Sequence, residues 1–170
     1  LVGVVSGDTV TVSATATYDN KNVGTGKSIT VIYTLGGADA GHYIKPADYT
    51  ITTGIITQTS LTIGNPTLTT SKEYDRTNTA LVTAGSLVGV VSGDTVTVSA
   101  TATYDSVNIG TSKTITVVYA IAGADAGNYI KPADRVEYSG VITTKQLTIG
   151  APTLTLSKAY DGNTTAVVID

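Results

Sequence analysis

Apolar and polar residues alternate without a break from Thr9 to Tyr18. Val10, Val12, Ala14, Ala16 and Tyr18 fall on one side, and Thr9, Thr11, Ser13, Thr15 and Thr17 on the other. A period of two sends successive side chains to opposite faces, so this run predicts a β-strand with one face on a core and one in water. That is the pattern of an antiparallel sheet. The same run returns at Thr95–Tyr104. A second strand is predicted from about Ile29 to Leu35 and again from Ile115 to Ile121, with Ile115, Val117, Tyr119 and Ile121 in phase. Shorter candidates are Leu61–Ile63, Thr67–Thr70, Ala80–Thr83, Ile51–Thr52, Ile55–Thr57 and Val141–Thr143. Turn signals separate them at Ser6-Gly7-Asp8, Asp19-Asn20, Gly36-Gly37 and Gly64-Asn65-Pro66. Six or seven short strands per unit, with turns about every 8–12 residues, read as a β-sandwich.

The pattern repeats as sequence. Leu1–Asp19 returns unchanged from Leu87, a period of 86 residues, and about two-thirds of the 84 aligned positions are identical. Self-similarity at a fixed period marks a tandem array. Leu61-Thr62-Ile63 follows a short polar link, Gln58-Thr59-Ser60, and this phase divides the chain. Residues 1–60 are expected to be the C-terminal part of one unit, 61–146 a complete sandwich, and 147–170 the N-terminal part of the next. The start without Met and the stop in mid-motif suggest a window from a longer array, with targeting signals outside it.

Composition narrows the function. The chain has no Cys, Met, Trp or Phe, and its ten aromatics are all Tyr. Disulfides, thiolate metal sites and thiol nucleophiles are therefore excluded, which suits export through an oxidising space. The net charge of −3, with no basic run, argues against nucleic-acid binding. No apolar stretch reaches the ~20 residues of a membrane helix.

Ser71-Lys72-Glu73-Tyr74-Asp75, and still more Ser157-Lys158-Ala159-Tyr160-Asp161-Gly162, resemble the opening motif of the YDG repeat domains of very long bacterial surface proteins. Ser92-Gly93-Asp94, Tyr104-Asp105, Ile109-Gly110, Gly123-Ala124-Asp125-Ala126-Gly127-Asn128-Tyr129 and Ile142-Thr143-Thr144-Lys145 follow in order, so the likeness covers the whole unit. The first copy departs at Arg76, where Gly is expected, and at His42 for Asn. The resemblance implies immunoglobulin-like stalk modules of secreted adhesins, including those of Bacteroidota-type bacteria. It places the chain outside the cell, at a bacterial surface.

Candidate chemistry is sparse. Gly24-Thr25-Gly26-Lys27-Ser28 looks like a phosphate loop, but Lys21 stands where the first Gly belongs and a strand follows, so a hairpin turn is the better reading. His42 is the only imidazole and is replaced by Asn128, which fits a turn residue rather than a base. Asp39, Asp125, Asp48 and Asp134 are candidate Ca²⁺ ligands, against the plainer reading that they hold turns. The recurring tyrosines are expected in the core, with their hydroxyls satisfied at its edge. Thr9 and Thr95, each in Asp-Thr-Val, are candidate O-glycosylation sites. Tyr49, Arg76, Arg135 and Tyr138 lie where the copies differ most, and are the candidate partner contacts.

The expectation is therefore an all-β array of tandem Ig-like antiparallel sandwiches, rod-like, without cofactor and without enzymatic activity. Its partners are neighbouring repeats, and head-to-tail copies of itself, since 147–170 of one molecule joined to 1–60 of another rebuilds a unit. A ligand-binding module is the alternative. It would take carbohydrate on the tyrosines or ice on the Thr-x-Thr rank.

Overall fold

The computed structural model describes residues 1–169. The chain opens with an antiparallel meander of β1 (Thr11–Tyr18), β2 (Gly24–Gly36) and β3 (Tyr49–Ile56). Seven short strands follow. They are β4 (Thr59–Ser60), β5 (Thr62–Ile63), β6 (Thr67–Leu68), β7 (Ser71–Glu73), β8 (Thr79–Ala80), β9 (Val82–Thr83) and β10 (Leu87–Val88). The meander then returns as β11 (Thr97–Tyr104), β12 (Gly110–Ala122) and β14 (Arg135–Thr143), with β13 (Tyr129–Ile130) before its last strand. The chain ends with β15 (Thr153–Leu154) and β16 (Val168–Ile169). Register repeats with the sequence: Tyr18 lies opposite Ile29, and Tyr104 opposite Ile115.

The second meander is the centre of a five-stranded sheet ordered β7-β14-β12-β11-β8. Against it lie the small pairs β6–β9 and β5–β10, antiparallel, and β13–β4. The core forms between the layers from Ala80, Ala102, Tyr104, Ile115, Val117, Tyr119 and Ile142, with Ile63, Leu68, Tyr74 and Val82 packed onto it. The second layer therefore comes from the segment that precedes the meander in sequence.

Several expectations are corrected. The sheets are not purely antiparallel: β14–β7 and β13–β4 are parallel. Parallel neighbours need a long crossover, and here nearly a whole unit separates the partners. Thr59–Ser60, read as a link, is a strand. The two fragments at Ile51–Thr52 and Ile55–Thr57 are one strand, β3, and β14 likewise starts at Arg135. The hairpin turn expected at Gly24–Ser28 is absent, because this segment begins β2. It carries β-bulges, where the register against β3 shifts on either side of Lys27. Ser112, at the place of Gly26, has φ of +54° in the same bulge of β12. A bulge bends a strand and re-aims a side chain, and here Lys27 and Lys113 are turned inward and buried.

One comparison isolates what holds a unit together. β1 and β11 share the octapeptide Thr-Val-Ser-Ala-Thr-Ala-Thr-Tyr. In β11 the alternation is realised, ending with Ala102 and Tyr104 at 2% exposure. In β1 all eight residues are exposed, Tyr18 to 46%. Sequence and strand pairing are the same. The difference is the layer above: residues 61–84 cover the second meander, and nothing among the described residues covers the first.

Candidate functional site

Two constructions stand out, a clasp inside the unit and a junction between units. The clasp is built by Ser71-Lys72-Glu73-Tyr74-Asp75 on β7 and the turn after it. Lys72 Nζ donates to Asp75 Oδ1 at 2.8 Å, to the Thr77 carbonyl at 2.9 Å and to Thr77 Oγ1 at 2.7 Å. Asp75 Oδ1 also accepts from the Thr77 amide at 2.8 Å. The bond from Lys72, reinforced by those from Thr77, pulls the Asp75 carboxyl down to about 2. Lys72 lies 5.7 Å from the Tyr104 ring centre, within range of a cation–π contact. Tyr74 packs on the core, and its amide donates to the Thr143 carbonyl. The next residue must turn left-handed: Gly162 has φ of +76°, and Arg76, in the same place, +68°. Lys158, Asp161 and Asn163 form the same clasp where no sheet lies alongside. It is a local device.

The junction joins the end of the first meander to the loops of the second. Lys21 Nζ lies 2.6 Å from Asp94 Oδ1 and 3.4 Å from Asp125 Oδ1. The lysine is 68% exposed, while the two carboxylates are only 10% and 18% exposed. Asp94 Oδ2 accepts from the Tyr129 hydroxyl at 2.8 Å, and that hydroxyl accepts from the Val91 amide. The bond from Lys21, then that from Tyr129, hold the Asp94 carboxyl below its usual range, and burial raises the Tyr129 hydroxyl. The Val23 amide donates to Asn128 Oδ1 at 2.9 Å, and Gln58 Nε2 donates to the carbonyls of Gly127 and Tyr129. Beside these bonds runs a groove of about 230 Å³, lined among others by Lys21, Ile56, Thr59, Val91, Asp94 and Tyr129.

The model of the YDG domain matches residues 1–53 and again 57–135. The chain belongs to the YDG domain family. No curated protein and no solved structure matches it. The second matched stretch includes the clasp, with Tyr74 on the core, Asp75 in the lysine cage and Arg76 at the left-handed position.

The candidate Ca²⁺ ligands of this YDG chain have other work. Asp39 and Asp125 accept from the Thr9 and Thr95 amides at 2.8 Å, and Asp48 and Asp134 accept from the Tyr33 and Tyr119 amides and pair with Lys45 and Lys131. Among the described residues no three acidic or imidazole groups converge as a metal site would require. Thr9 and Thr95 are exposed. Tyr49, Arg76, Arg135 and Tyr138 do not form one patch: Tyr49 is on β3, Arg135 and Tyr138 on β14, and Arg76 in the clasp turn. Arg135 is engaged with Asn65 and Glu137. His42 ends a 3-10 turn, like Asn128, whose side chain bonds across the junction. The tyrosine expectation holds for Tyr129 but fails at Tyr104, whose hydroxyl is buried with no partner.

Sequence reasoning missed Lys21 and Gln58, which differ between copies and carry no local signal. It also missed the inward Lys27 and Lys113. Their phase with Ile115, Val117 and Tyr119 was the available clue. Lys113 Nζ lies 2.7 Å from Asp105 Oδ1 and donates to Ser106 Oγ at 2.7 Å, which lowers the Asp105 carboxyl.

Proposed function

We propose that this YDG chain is a structural stalk or fibre repeat of a large secreted bacterial surface adhesin, without enzymatic activity. In this reading its units are Ig-like sandwiches stacked in a rod outside the cell. The observation that carries it is the twin octapeptide. Residues 61–84 cover the sheet face of the second meander within the same unit, while the identical strand of the first meander is left open. The chain thus carries an open face at one end and a spare covering segment at the other. Residues 147–170 repeat that covering segment, and Leu147, Ile149, Leu156 and Tyr160 on it are almost fully exposed. Separate molecules complement one another head to tail when 147–170 of one covers the open face of residues 1–60 of another. Such a heterologous contact does not close on itself and propagates into a filament.

Electron microscopy and solution scattering of the purified chain, with and without EDTA, test this. Filaments that persist in EDTA are expected. A monodisperse short particle at high concentration would refute self-complementation and leave a passive spacer.

One observation favours a ligand-binding face. Thr79, Thr103 and Thr116 lie side by side across β8, β11 and β12. Val136, opposite Thr116, interrupts that row, and Val118, opposite Thr101, interrupts the neighbouring one. Thermal-hysteresis measurement separates an ice-binding surface, which would show it, from a solvated strand face, which would not.

A further inference from the structure

The carboxylate pair that receives Lys21 has a counterpart in the first meander. Asp8 Oδ2 accepts from the Tyr43 hydroxyl at 2.6 Å, as Asp94 does from Tyr129, and Asp39 Oδ2 accepts from the Thr9 amide at 2.8 Å, as Asp125 does from Thr95. The Val5 amide donates to the Tyr43 hydroxyl as Val91 does to Tyr129. In both meanders the Oδ2 atoms are committed inside the unit and the Oδ1 atoms are left over. In the second, the Oδ1 atoms hold an ammonium. That occupied pair defines the chemistry for which the other is shaped. Among the described residues no lysine reaches Asp8 or Asp39.

The donor can be read from position. The equivalent of Lys21 in the second meander is Val107, which has no ammonium, and that of Gln58 is Thr144. The equivalent of Thr59 is Lys145. Thr59 lines the junction groove together with Lys21, Asp94 and Tyr129, and pairs with Tyr129 across β4–β13. A lysine at that place enters the same groove from the other wall. Each unit end therefore carries one lysine for the groove, at the position of Lys21 in the first and at that of Thr59 in the second. Lys145 is 62% exposed, with only a 3.8 Å contact to Glu73, and is free to be redirected.

We infer that the pocket of Asp8, Asp39 and Tyr43 is a docking site for the Lys145 ammonium of a second molecule of this chain. The inference rests on the head-to-tail reading above, and two experiments keep them apart. The first is internal. The chain has no Cys, so Ser13→Cys and Ser99→Cys accept spin labels on β1 and β11, and pulsed dipolar spectroscopy reads the distance distribution between the meanders. Lys21→Val broadens that distribution, and adding Thr59→Lys narrows it again. If Thr59→Lys restores nothing, position 59 cannot serve the groove and the inference is overturned, whether or not molecules associate.

The second is sedimentation of the whole chain at low salt. Lys145→Ala weakens association about fivefold, Asp8→Asn with Asp39→Asn does the same, and Val107→Lys restores the Lys145→Ala variant. Association of Lys145→Ala as tight as that of the parent chain overturns the docking site while leaving head-to-tail assembly in place. A parent chain that stays monomeric overturns both the assembly and its lysine.

Discussion

At the scale of the residue, the clasp explains why a lysine, a tyrosine and an aspartate occur together. Tyr74 is pinned to the core, the Asp75 carboxylate organises the following turn, and Lys72 closes the turn on itself. Arg76 works against this order. A side chain at a left-handed φ crowds its own carbonyl and costs about 1 kcal/mol, which glycine avoids. Arg76→Gly is therefore expected to raise stability by up to about 1 kcal/mol in urea titrations, and Gly162→Arg to do the reverse once its segment is covered. The clasp also sets a pH response. Because the folded Asp75 carboxyl sits near 2, against 3.8 ordinarily, it stabilises the fold above the ordinary value, and that contribution is lost as pH falls through 2. Carboxyl NMR titration is expected to place Asp75 near 2, below the usual carboxylate range. Asp75→Asn should flatten the stability profile between those two pH values.

At the scale of the element, β11 and β12 supply the core, whereas β1, identical to β11, is exposed along its length and β2 is mostly half-buried. Ile115 is fully buried, and truncating it to alanine is expected to cost about 3 kcal/mol in equilibrium unfolding. Ile29, its equivalent, is only half-buried, and Ile29→Ala should cost less than half as much until the first meander is covered. The turn that ends β12 tolerates no side chain at Gly123. Gly123 has φ of +119°, and a Cβ there would stand 2.3 Å from the Thr95 carbonyl oxygen. Gly123→Ala must displace the β11 entry and the Asp125–Thr95 bond with it, so hydrogen exchange at the Thr95 amide should rise sharply.

At the scale of the whole molecule, the covering segment precedes its meander in the same unit, as residues 61–84 do for the second meander. In the proposed head-to-tail assembly, a free peptide of residues 147–170 competes for the open face and shortens fibres in proportion to its concentration. The junction adds an electrostatic window. Hydrogen bonding to Asp94 raises the Lys21 ammonium, and the same bond lowers the Asp94 carboxyl. The pair thus supports the junction from above the usual carboxylate range up to the usual lysine range, and releases it beyond either end. Scattering profiles should broaden in acid before the core unfolds.

The β class, the period and the faces of β11 and β12 were legible in the sequence, because alternation follows from the geometry of an extended chain. The family motif was legible because its clasp is made between residues three and five apart. Local chemistry of that kind needs no neighbours, and it forms at Lys158 with no sheet alongside. What only the tertiary structure decided depends on residues far apart in sequence. Whether Tyr18 or Tyr104 is buried turns on the 61–84 segment and cannot be read from two identical strands. The parallel β14–β7 pairing, the inward turn of Lys113 through a bulge and the meeting of Lys21 with Asp94 follow from how layers and units pack. Between residues so distant, proximity is set by the fold and by no local pattern.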